Sequence, residues 1–306
     1  MATIQNQRWA GVFPALTTKF RQDGSLDVSA IEKHIAWQIE SGVDGLVVLG
    51  SLGENGTLEP DEKDAVIRTA ARVAGGRIPL LAGVAETSTL RAAKFVERAA
   101  KCGATGVMLL PAMQYVSDRR ETMSHFRAVA AASPLSIMLY NNPVAYRVDT
   151  TPEMFADLAD EPKFVAIKES SDDIRRITDI KNLVGDRYQI FAGVDDLALE
   201  SAVIGADGWV AGLVCAFPRE TVALFRLVKT GRIAEALLLY RWFTPLLHLD
   251  VSIKFVQNIK LAEALAGVGS EHVRPPRLPL DGDERRRVEE IVRRALSTRP
   301  TLPTAG

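Results

Sequence analysis

The chain has 306 residues, of which 47% are hydrophobic and 25% are charged, so it suits two small domains or one large α/β barrel and is too apolar for a disordered protein. Its formal charge of −1 provides no net field that would attract nucleic acid or an anionic membrane surface. The sequence contains no uninterrupted apolar stretch long enough for a transmembrane helix and no apolar leader after Met1, and we therefore expect a cytoplasmic protein without nucleic-acid or membrane partners.

Eight apolar runs of strand length alternate with stretches of helical period. Most of these runs are continuous rather than alternating, which is typical of parallel strands buried on both faces. The predicted strands are Gly11–Leu16, Gly45–Leu49, Pro79–Gly83, Gly106–Leu110, Ser136–Tyr140, Phe164–Ile167, Gln189–Ala192 and Gly208–Gly212. The predicted helices that follow them are Val28–Glu40, Pro60–Ala74, Leu90–Lys101, Arg119–Ala131, Pro152–Leu158, Asp173–Val184, Asp196–Ile204 and Arg219–Lys229.

This βα repeat could close as a doubly wound sheet or as a barrel, and its eight units favour an α/β fold of the (β/α)8 TIM barrel type. After the eighth helix the pattern changes, because helix signals follow one another without strands. These further helices are predicted at Ala234–Leu247, Val251–Ala266 and Glu284–Leu296. We expect residues 1–230 to form the barrel and residues 231–306 to form a C-terminal helical extension of the same domain.

Lys168 is the most informative residue, because it follows the apolar run Phe164–Ile167 at the end of a barrel strand. Active sites of barrels lie at the C-terminal ends of the strands. Burial there would disfavour the ammonium form, lower the lysine pKa and leave an amine able to attack a carbonyl or imine carbon. Tyr140, at the end of the preceding strand, could carry protons for such a reaction. The alternatives are a solvent-facing Lys168 paired with Glu169 and a Tyr140 that serves only in packing.

The loop from Gly50 to Gly56 matches no nucleotide-binding pattern. Its glycines would let the backbone around Ser51 and Leu52 approach a small anion such as a carboxylate, although a simple tight turn would have the same spacing. Gly193 and Gly212, at the ends of the last two strands, are also expected to border the substrate. Asp195 or its neighbour Asp196 could accept a hydrogen bond from a substrate hydroxyl or cap the next helix.

No metal site is predicted, because the histidines occur singly and no strand end carries a His and carboxylate set. The histidines are His34, His125, His248 and His272. The two cysteines, Cys102 and Cys215, are expected to be reduced and packed. No GxSxG motif indicates a serine hydrolase.

Read together, the strand-end motifs resemble the dihydrodipicolinate synthase and N-acetylneuraminate lyase family of class I, Schiff-base lyases. The motifs are Gly-Ser-Leu-Gly-Glu at residues 50–54, Tyr-Asn-Asn-Pro at 140–143 and Ile-Lys-Glu-Ser at 167–170. The resemblance implies that Lys168 forms the Schiff base, that Tyr140 is the acid and base, and that Ser51 and Leu52 bind the substrate carboxylate. It also implies a supporting role for Glu54, no cofactor or metal, and a homotetramer built as a dimer of dimers.

Departures from dihydrodipicolinate synthases put lysine biosynthesis in doubt. These enzymes carry an arginine shortly after the Tyr-Asn-x-Pro motif, where this chain has Ala145, and a second hydroxyl residue in the turn, where it has Leu52. Their pair of tyrosines after the strand-four proline is replaced here by Ala112, Met113 and Gln114. The missing guanidinium and hydroxyls predict a less polar pocket.

Within the family, the segments 140–146, 168–173 and 193–200 are most similar to the 1-pyrroline-4-hydroxy-2-carboxylate deaminases of hydroxyproline breakdown. That resemblance implies a hydrolytic deamination to 2,5-dioxopentanoate and ammonia. Other activities remain open, namely a dihydrodipicolinate synthase-like aldolase, a 4-hydroxy-2-oxoglutarate aldolase, and a 2-keto-3-deoxy sugar acid dehydratase or aldolase. A hypothesis of another class is a catalytically silent relative that binds a 2-oxo acid.

Overall fold

The structure is a computed structural model that describes residues 8–112 and 114–303, and Met113 of the loop after the fourth strand therefore lies outside the described residues. Within these ranges the chain forms eight strands and twelve α-helices. The strands are β1 (Gly11–Pro14), β2 (Leu46–Val48), β3 (Leu80–Val84), β4 (Gly106–Leu109), β5 (Ser136–Asn141), β6 (Phe164–Glu169), β7 (Gln189–Ala192) and β8 (Gly208–Ala211).

All strand pairs are parallel, in the order β1-β8-β7-β6-β5-β4-β3-β2. The remaining edges of β1 and β2 meet through a parallel bridge between Ala15 and Val47, where the Leu16 N–H donates to the Val47 carbonyl at 2.8 Å. The sheet therefore closes into a barrel, and the predicted (β/α)8 TIM barrel fold is confirmed.

The helices are α1 (Val28–Glu40), α2 (Pro60–Ala74), α3 (Thr89–Lys101), α4 (Arg119–Ala132), α5 (Pro143–Tyr146), α6 (Pro152–Asp157), α7 (Arg175–Val184), α8 (Ala198–Val203), α9 (Pro218–Lys229), α10 (Ile233–Leu247), α11 (Phe255–Leu265) and α12 (Gly282–Ser297). Capping side chains explain where several of these helices begin. The Asp27 side chain accepts from the Ala30 N–H at α1, and Asp118 with Glu121 forms a capping box at α4. None of the described helices is long and apolar enough to cross a bilayer.

Two differences from the predicted elements occur at the C-terminal end of the barrel. A short helix, α5, follows the Tyr-Asn-Asn-Pro motif, because Asn142 caps it and Pro143 occupies its first position. Helix α11 begins at Phe255 rather than at Val251, and residues 251–254 form a loop at the mouth of the barrel instead. Val251 and Ile253, which were predicted to lie in the helix, are 46% and 97% exposed in that loop.

The three C-terminal helices pack beside the barrel, with α10 against α9 and α12 against both α10 and α11. Helix α11 delivers Lys260 and Glu263, both wholly buried, to the loops of the barrel mouth. There Glu263 accepts from the Lys19 ammonium at 2.6 Å and from the Thr17 hydroxyl at 2.7 Å. Cys102 and Cys215 are free thiols and are buried.

Candidate active site

Lys168 lies within β6, one residue before its end, and its side chain reaches the cavity at the mouth of the barrel. Only 7% of the residue is exposed, and burial lowers the pKa of its ammonium group. No hydrogen-bond acceptor or carboxylate from the described residues contacts Nζ, which lies 4.2 Å from the centroid of the Tyr140 ring. The nearby Asp250, Tyr146 and Asp195 oppose this lowering of the pKa electrostatically, but none of them forms an ion pair or hydrogen bond with Nζ.

Glu169, the solvent-side partner considered for Lys168, engages other groups. Its carboxylate accepts from the Asn141 side-chain amide at 3.2 Å and from the Ser171 N–H at 2.7 Å. Successive residues of a strand point to opposite faces, so Lys168 faces the barrel axis while Glu169 faces outward. The solvent-facing ion pair is thus excluded by the alternation of β6.

Tyr140 is directly opposite Lys168 in the β5 and β6 pairing, which explains why its ring lies under the amine. Its hydroxyl accepts from the Asn142 side-chain amide at 3.1 Å. The ring of Tyr146, on α5, meets the Tyr140 ring edge-on at a centroid distance of 5.7 Å, and the Tyr146 hydroxyl is hydrogen-bonded to the Ser51 hydroxyl. Burial raises the pKa of both phenols, so both remain protonated and able to donate.

The turn that contains Ser51 and Leu52 is held in an unusual backbone conformation. Leu49 and Glu54, on either side of it, have φ values of 61° and 55°, in the left-handed region that non-glycine residues rarely adopt. The N–H groups of Ser51 and Leu52 donate to no acceptor among the described residues, and both residues line the cavity. Two free donors beside a hydroxyl are suited to a carboxylate.

Glu54 stabilises this turn. It is 1% exposed, and its carboxylate accepts from the Lys260 ammonium and, at 3.1 Å, from the Arg274 N–H. Thr18 fixes the other side of the turn by donating to the Gly53 carbonyl at 2.7 Å. The turn is therefore braced by the C-terminal helical extension, and Glu54 itself does not line the cavity.

Gly193 and Gly212, which were predicted to border the substrate, both line the cavity, and each leaves room for a neighbouring side chain. A Cβ at Gly193 would clash with the Ser170 hydroxyl and would lie 2.8 Å from Cε and Cγ of Lys168. At Gly212 the corresponding space holds the carboxylate of Asp250. These two positions thus require glycine for steric reasons.

Asp195 does not line the cavity. It was predicted either to accept a hydrogen bond from a substrate hydroxyl or to cap the next helix, and its carboxylate is in neither position. It is fully buried, and its carboxylate accepts from the Trp209 indole at 2.9 Å and from the N–H groups of Gly212 and Leu213 at 3.1 and 2.8 Å. It therefore fixes the end of β8 rather than capping the following helix. Asp196 also differs from expectation, since its carboxylate pairs with the His248 ring at 2.7 Å.

The cavity encloses about 590 Å³, a volume typical of small-molecule sites. Ala145 lines it, as the sequence predicted, so no guanidinium enters from that position. A guanidinium nevertheless reaches the rim, because Arg277 of the segment between α11 and α12 also lines the cavity, 4.0 Å from Glu54. The cavity is therefore less apolar than the missing guanidinium at Ala145 alone would predict.

Sequence reasoning assigned no role to Tyr146, Asp250 or Arg277, although all three line the cavity. Tyr146 follows a proline in the first position of a helix with a capping asparagine, and this pattern could have predicted the turn that brings it back to Tyr140. Asp250 and Arg277 come from the C-terminal extension, and no local signal relates them to the barrel mouth. Among the described residues no three His, Cys, Asp or Glu side chains are grouped to hold a metal ion.

Comparison with known proteins gives a consistent result. The model of the dihydrodipicolinate synthetase family matches residues 8–295. The 4-hydroxy-tetrahydrodipicolinate synthase of Sorangium cellulosum is 36% identical over 293 residues, covering 93% of this chain and 95% of that protein. The enzyme of the same name from Pelobacter propionicus is 32% identical over 279 residues, covering 90% and 94%.

Among solved structures, the 4-hydroxy-tetrahydrodipicolinate synthase from the methanotroph Methylacidiphilum fumariolicum SolV superposes with a TM-score of 0.90 at 29% identity. The superposition covers 94% of this chain and 96% of that one. The family match spans nearly the whole barrel and its extension, including Lys168 and Tyr140. The chain therefore belongs to the dihydrodipicolinate synthetase family, as an enzyme of the class I lyase type, whose members act through a lysine Schiff base and need no cofactor or metal.

Proposed function

We propose that this enzyme deaminates 1-pyrroline-4-hydroxy-2-carboxylate to 2,5-dioxopentanoate and ammonia. The observation that carries the proposal is the Lys168 amine, buried without a hydrogen-bond partner above the Tyr140 ring in a cavity that also holds free amide donors. Ala145 supports a substrate other than that of the synthases, because the guanidinium of those enzymes is absent at this position. Ser51 and Leu52 would bind the single carboxylate of the pyrroline acid.

In the proposed mechanism, the neutral Lys168 amine adds to the C2 imine carbon of the ring. The bond between C2 and the ring nitrogen then breaks, and the nitrogen takes a proton and remains on C5 as a primary amine. Lys168 is left joined to C2 as a protonated Schiff base. No outside reagent is needed, because the ring nitrogen is the leaving group.

Loss of a C3 proton converts the Schiff base to an enamine, whose electrons expel the 4-hydroxyl as water. Loss of a C5 proton and reprotonation along the conjugated chain move the unsaturation to C5, which becomes an imine. Hydrolysis at C5 releases ammonia, and hydrolysis at C2 frees Lys168 and the product. One water is released and two are consumed, so the net reaction uses one water.

Tyr140 is the proposed proton carrier at C2 and C3, since its ring contacts the lysine amine. Tyr146 and Ser51 would extend this path towards the carboxylate-binding turn through their mutual hydrogen bond. All three residues belong to one chain, so this part of the path requires no residue from a neighbouring subunit.

The proposal is tested by incubating the enzyme with 1-pyrroline-4-hydroxy-2-carboxylate and measuring ammonia and 2,5-dioxopentanoate. We expect equal amounts of both products. Borohydride reduction in the presence of pyruvate is the parallel assay for the lysine chemistry of the family. Trapping with pyruvate but no ammonia from the pyrroline acid would refute the deaminase proposal, and absence of trapping as well would favour a silent 2-oxo acid-binding relative.

A second candidate is supported by the names of the relatives, which are 4-hydroxy-tetrahydrodipicolinate synthases. That reaction would use the same Lys168 but would condense pyruvate with an aldehyde. A substrate panel with pyruvate plus aldehydes, with 4-hydroxy-2-oxoglutarate and with 2-keto-3-deoxy sugar acids separates these activities from the deaminase. Consumption of pyruvate only with an added aldehyde would select the synthase.

We also propose a cytoplasmic homotetramer, assembled as a dimer of dimers with contributions from the C-terminal helices. Leu238 on α10 supports an assembly role for this extension, because 67% of this apolar side chain is exposed in the single chain. Sedimentation equilibrium would test the assembly state, and a Leu238→Glu variant that still sediments as wild type would exclude α10 from the interface.

A further inference from the structure

Asp250 lines the same cavity as the carboxylate-binding turn. It follows the end of α10, where its N–H donates to the Leu247 carbonyl at 3.0 Å. Its carboxylate occupies the space over Gly212, at the end of β8, that a Cβ would fill. Gly212 thus admits this side chain to the barrel mouth.

The carboxylate of Asp250 forms no hydrogen bond or ion pair with any described residue, in contrast to those of Asp195 and Asp196. Asp195 is engaged by Trp209 and two backbone N–H groups, and Asp196 by His248. Asp172 also lines the cavity but is exposed to solvent. Asp250 is therefore the carboxylate of the described mouth that is half-buried, unpaired and directed into the cavity.

The surroundings of Asp250 favour its neutral form. Burial raises the pKa of this carboxyl group well above its usual range, and the nearby Asp195 raises it further, while Lys168 opposes both effects. A carboxylic acid kept neutral can donate a proton to an oxygen leaving group. Lys168 forms no ion pair with Asp250 and therefore does not hold its carboxyl group in the charged form by direct contact.

The position of Asp250 fits one end of the proposed substrate. With the C1 carboxylate at the Ser51 turn after β2 and C2 bonded to Lys168 on β6, carbons C3 to C5 must extend to another part of the mouth. Asp250, over the end of β8, lies on such a side. Resting on the proposed function, we propose that Asp250 is the catalytic acid that protonates the 4-hydroxyl of the Schiff-base intermediate.

In this step the enamine electrons form the C3–C4 double bond, the C4–O bond breaks, and the Asp250 carboxyl proton leaves with the hydroxyl as water. Asp250 becomes a carboxylate. It is then placed to accept the C5 proton in the next step, and this proton restores its acid form. Asp250 therefore donates one proton and regains one, and no additional reagent is needed.

The test compares wild type with Asp250→Asn in two reactions, ammonia release from 1-pyrroline-4-hydroxy-2-carboxylate and exchange of pyruvate methyl protons with deuterium. Exchange requires Lys168 and the enamine but no leaving hydroxyl, and so it also reports a folded site. We expect ammonia release to fall by about 10²- to 10⁴-fold, as for a lost general acid, while exchange changes by less than about threefold. Asp196→Asn removes a neighbouring charge outside the cavity and should affect ammonia release far less.

Ammonia release by Asp250→Asn within about threefold of wild type would overturn the assignment while leaving the deaminase proposal intact. An equal fall in ammonia release and exchange would also overturn it, because Asp250 would then act on Lys168 or on the fold. If wild type exchanges pyruvate protons but releases no ammonia, the deaminase proposal itself fails, and the role of Asp250 at a 4-hydroxyl fails with it.

Discussion

Lys168 and Lys260 are both buried lysines, and they differ in what surrounds the amine. Lys260, on α11, is fully buried, yet its ammonium group contacts the Glu54 carboxylate and donates to the His272 carbonyl at 2.7 Å. Burial lowers its pKa to about 8, with Glu54 acting in the opposite direction. Lys168 is similarly buried, but its amine lies over the Tyr140 ring, and the nearby Asp250, Tyr146 and Asp195 raise its pKa without forming an ion pair with it.

The comparison shows that burial alone does not make a lysine a nucleophile. In the buried ion cluster, defined here as Lys19, Glu54, Lys260, Glu263 and Arg274, each lysine has a carboxylate partner. A paired ammonium has its protons engaged and serves to hold loops in place. In the cavity the amine is left unpaired, so the same desolvation favours a free lone pair.

The largest effect is expected for Lys168→Met, which keeps the apolar stem and removes the amine. Turnover of the true substrate should fall by roughly 10⁴-fold or more, because no covalent intermediate can form. The free energy of unfolding should change by less than about 1.5 kcal/mol, since the volume is conserved and no charged partner is left behind. Steady-state kinetics and urea denaturation provide the two measurements, and substantial residual turnover would contradict the assigned role.

Lys260→Met is the matched variant in the buried ion cluster, and its main effect should be on stability. The unfolding free energy should fall by about 3–5 kcal/mol, because Glu54 would be left buried without its cation. Borohydride trapping at Lys168 should persist under conditions where the variant is folded. The double variant Lys260→Met with Glu54→Gln should recover part of the loss, and a strictly additive result would show that the two residues are not coupled.

Tyr140→Phe tests the ring beneath the amine. It should slow turnover by about 10²-fold or more, the usual scale for a lost proton carrier, while the packing of the ring is preserved. Tyr146→Phe should have a smaller effect on turnover, because its hydroxyl contacts Ser51 rather than the lysine. Comparison of kcat for the two variants measures this order, and the reverse order would move the principal proton carrier to Tyr146.

The smallest effect expected to distinguish the two regions is a dependence of protein stability on pH. His34, beside the buried ion cluster, has its pKa lowered to about 4, chiefly by burial and also by Lys19. In the unfolded chain this group binds its proton below pH of about 6.5, whereas the folded protein binds it only near pH 4, so stability falls as the pH decreases through this interval. The loss should reach roughly 3 kcal/mol at most.

Urea denaturation at several pH values between 7 and 4 measures this slope. His34→Gln should reduce it, because glutamine can still donate to the Cys215 carbonyl that His34 contacts at 2.8 Å but does not titrate. An unchanged slope in this variant would assign the acid sensitivity to other groups.

Much of the barrel could be predicted from sequence because its signals are local. Continuous apolar runs, Asp27 at the cap of α1 and Pro60 at the first position of α2 define element bounds without knowledge of the tertiary fold. The first two helices have the predicted limits, Val28–Glu40 and Pro60–Ala74. Lys168 and Tyr140 could be predicted as site residues for the same reason, since each ends an apolar strand run.

The sequence could not predict contacts between segments that are distant along the chain. Asp250 lies beside the predicted start of a helix at Val251, and helical periodicity alone cannot show that residues 251–254 form a loop at the barrel mouth. Asp195 suggested a cap because of its position, whereas its three donors come from β8 and its end, which lie beside it only after the sheet has closed.

The central claim is that Lys168, whose pKa is lowered by burial and whose amine forms no ion pair with the described residues, forms the Schiff base. Its most direct test is borohydride reduction of the wild-type enzyme with pyruvate, followed by peptide mapping by mass spectrometry. The account predicts a reduced adduct on Lys168 and none on Lys260 or Lys19, whose ammonium groups are held by carboxylates. An adduct on either paired lysine, or a protein left unmodified at Lys168, would contradict it.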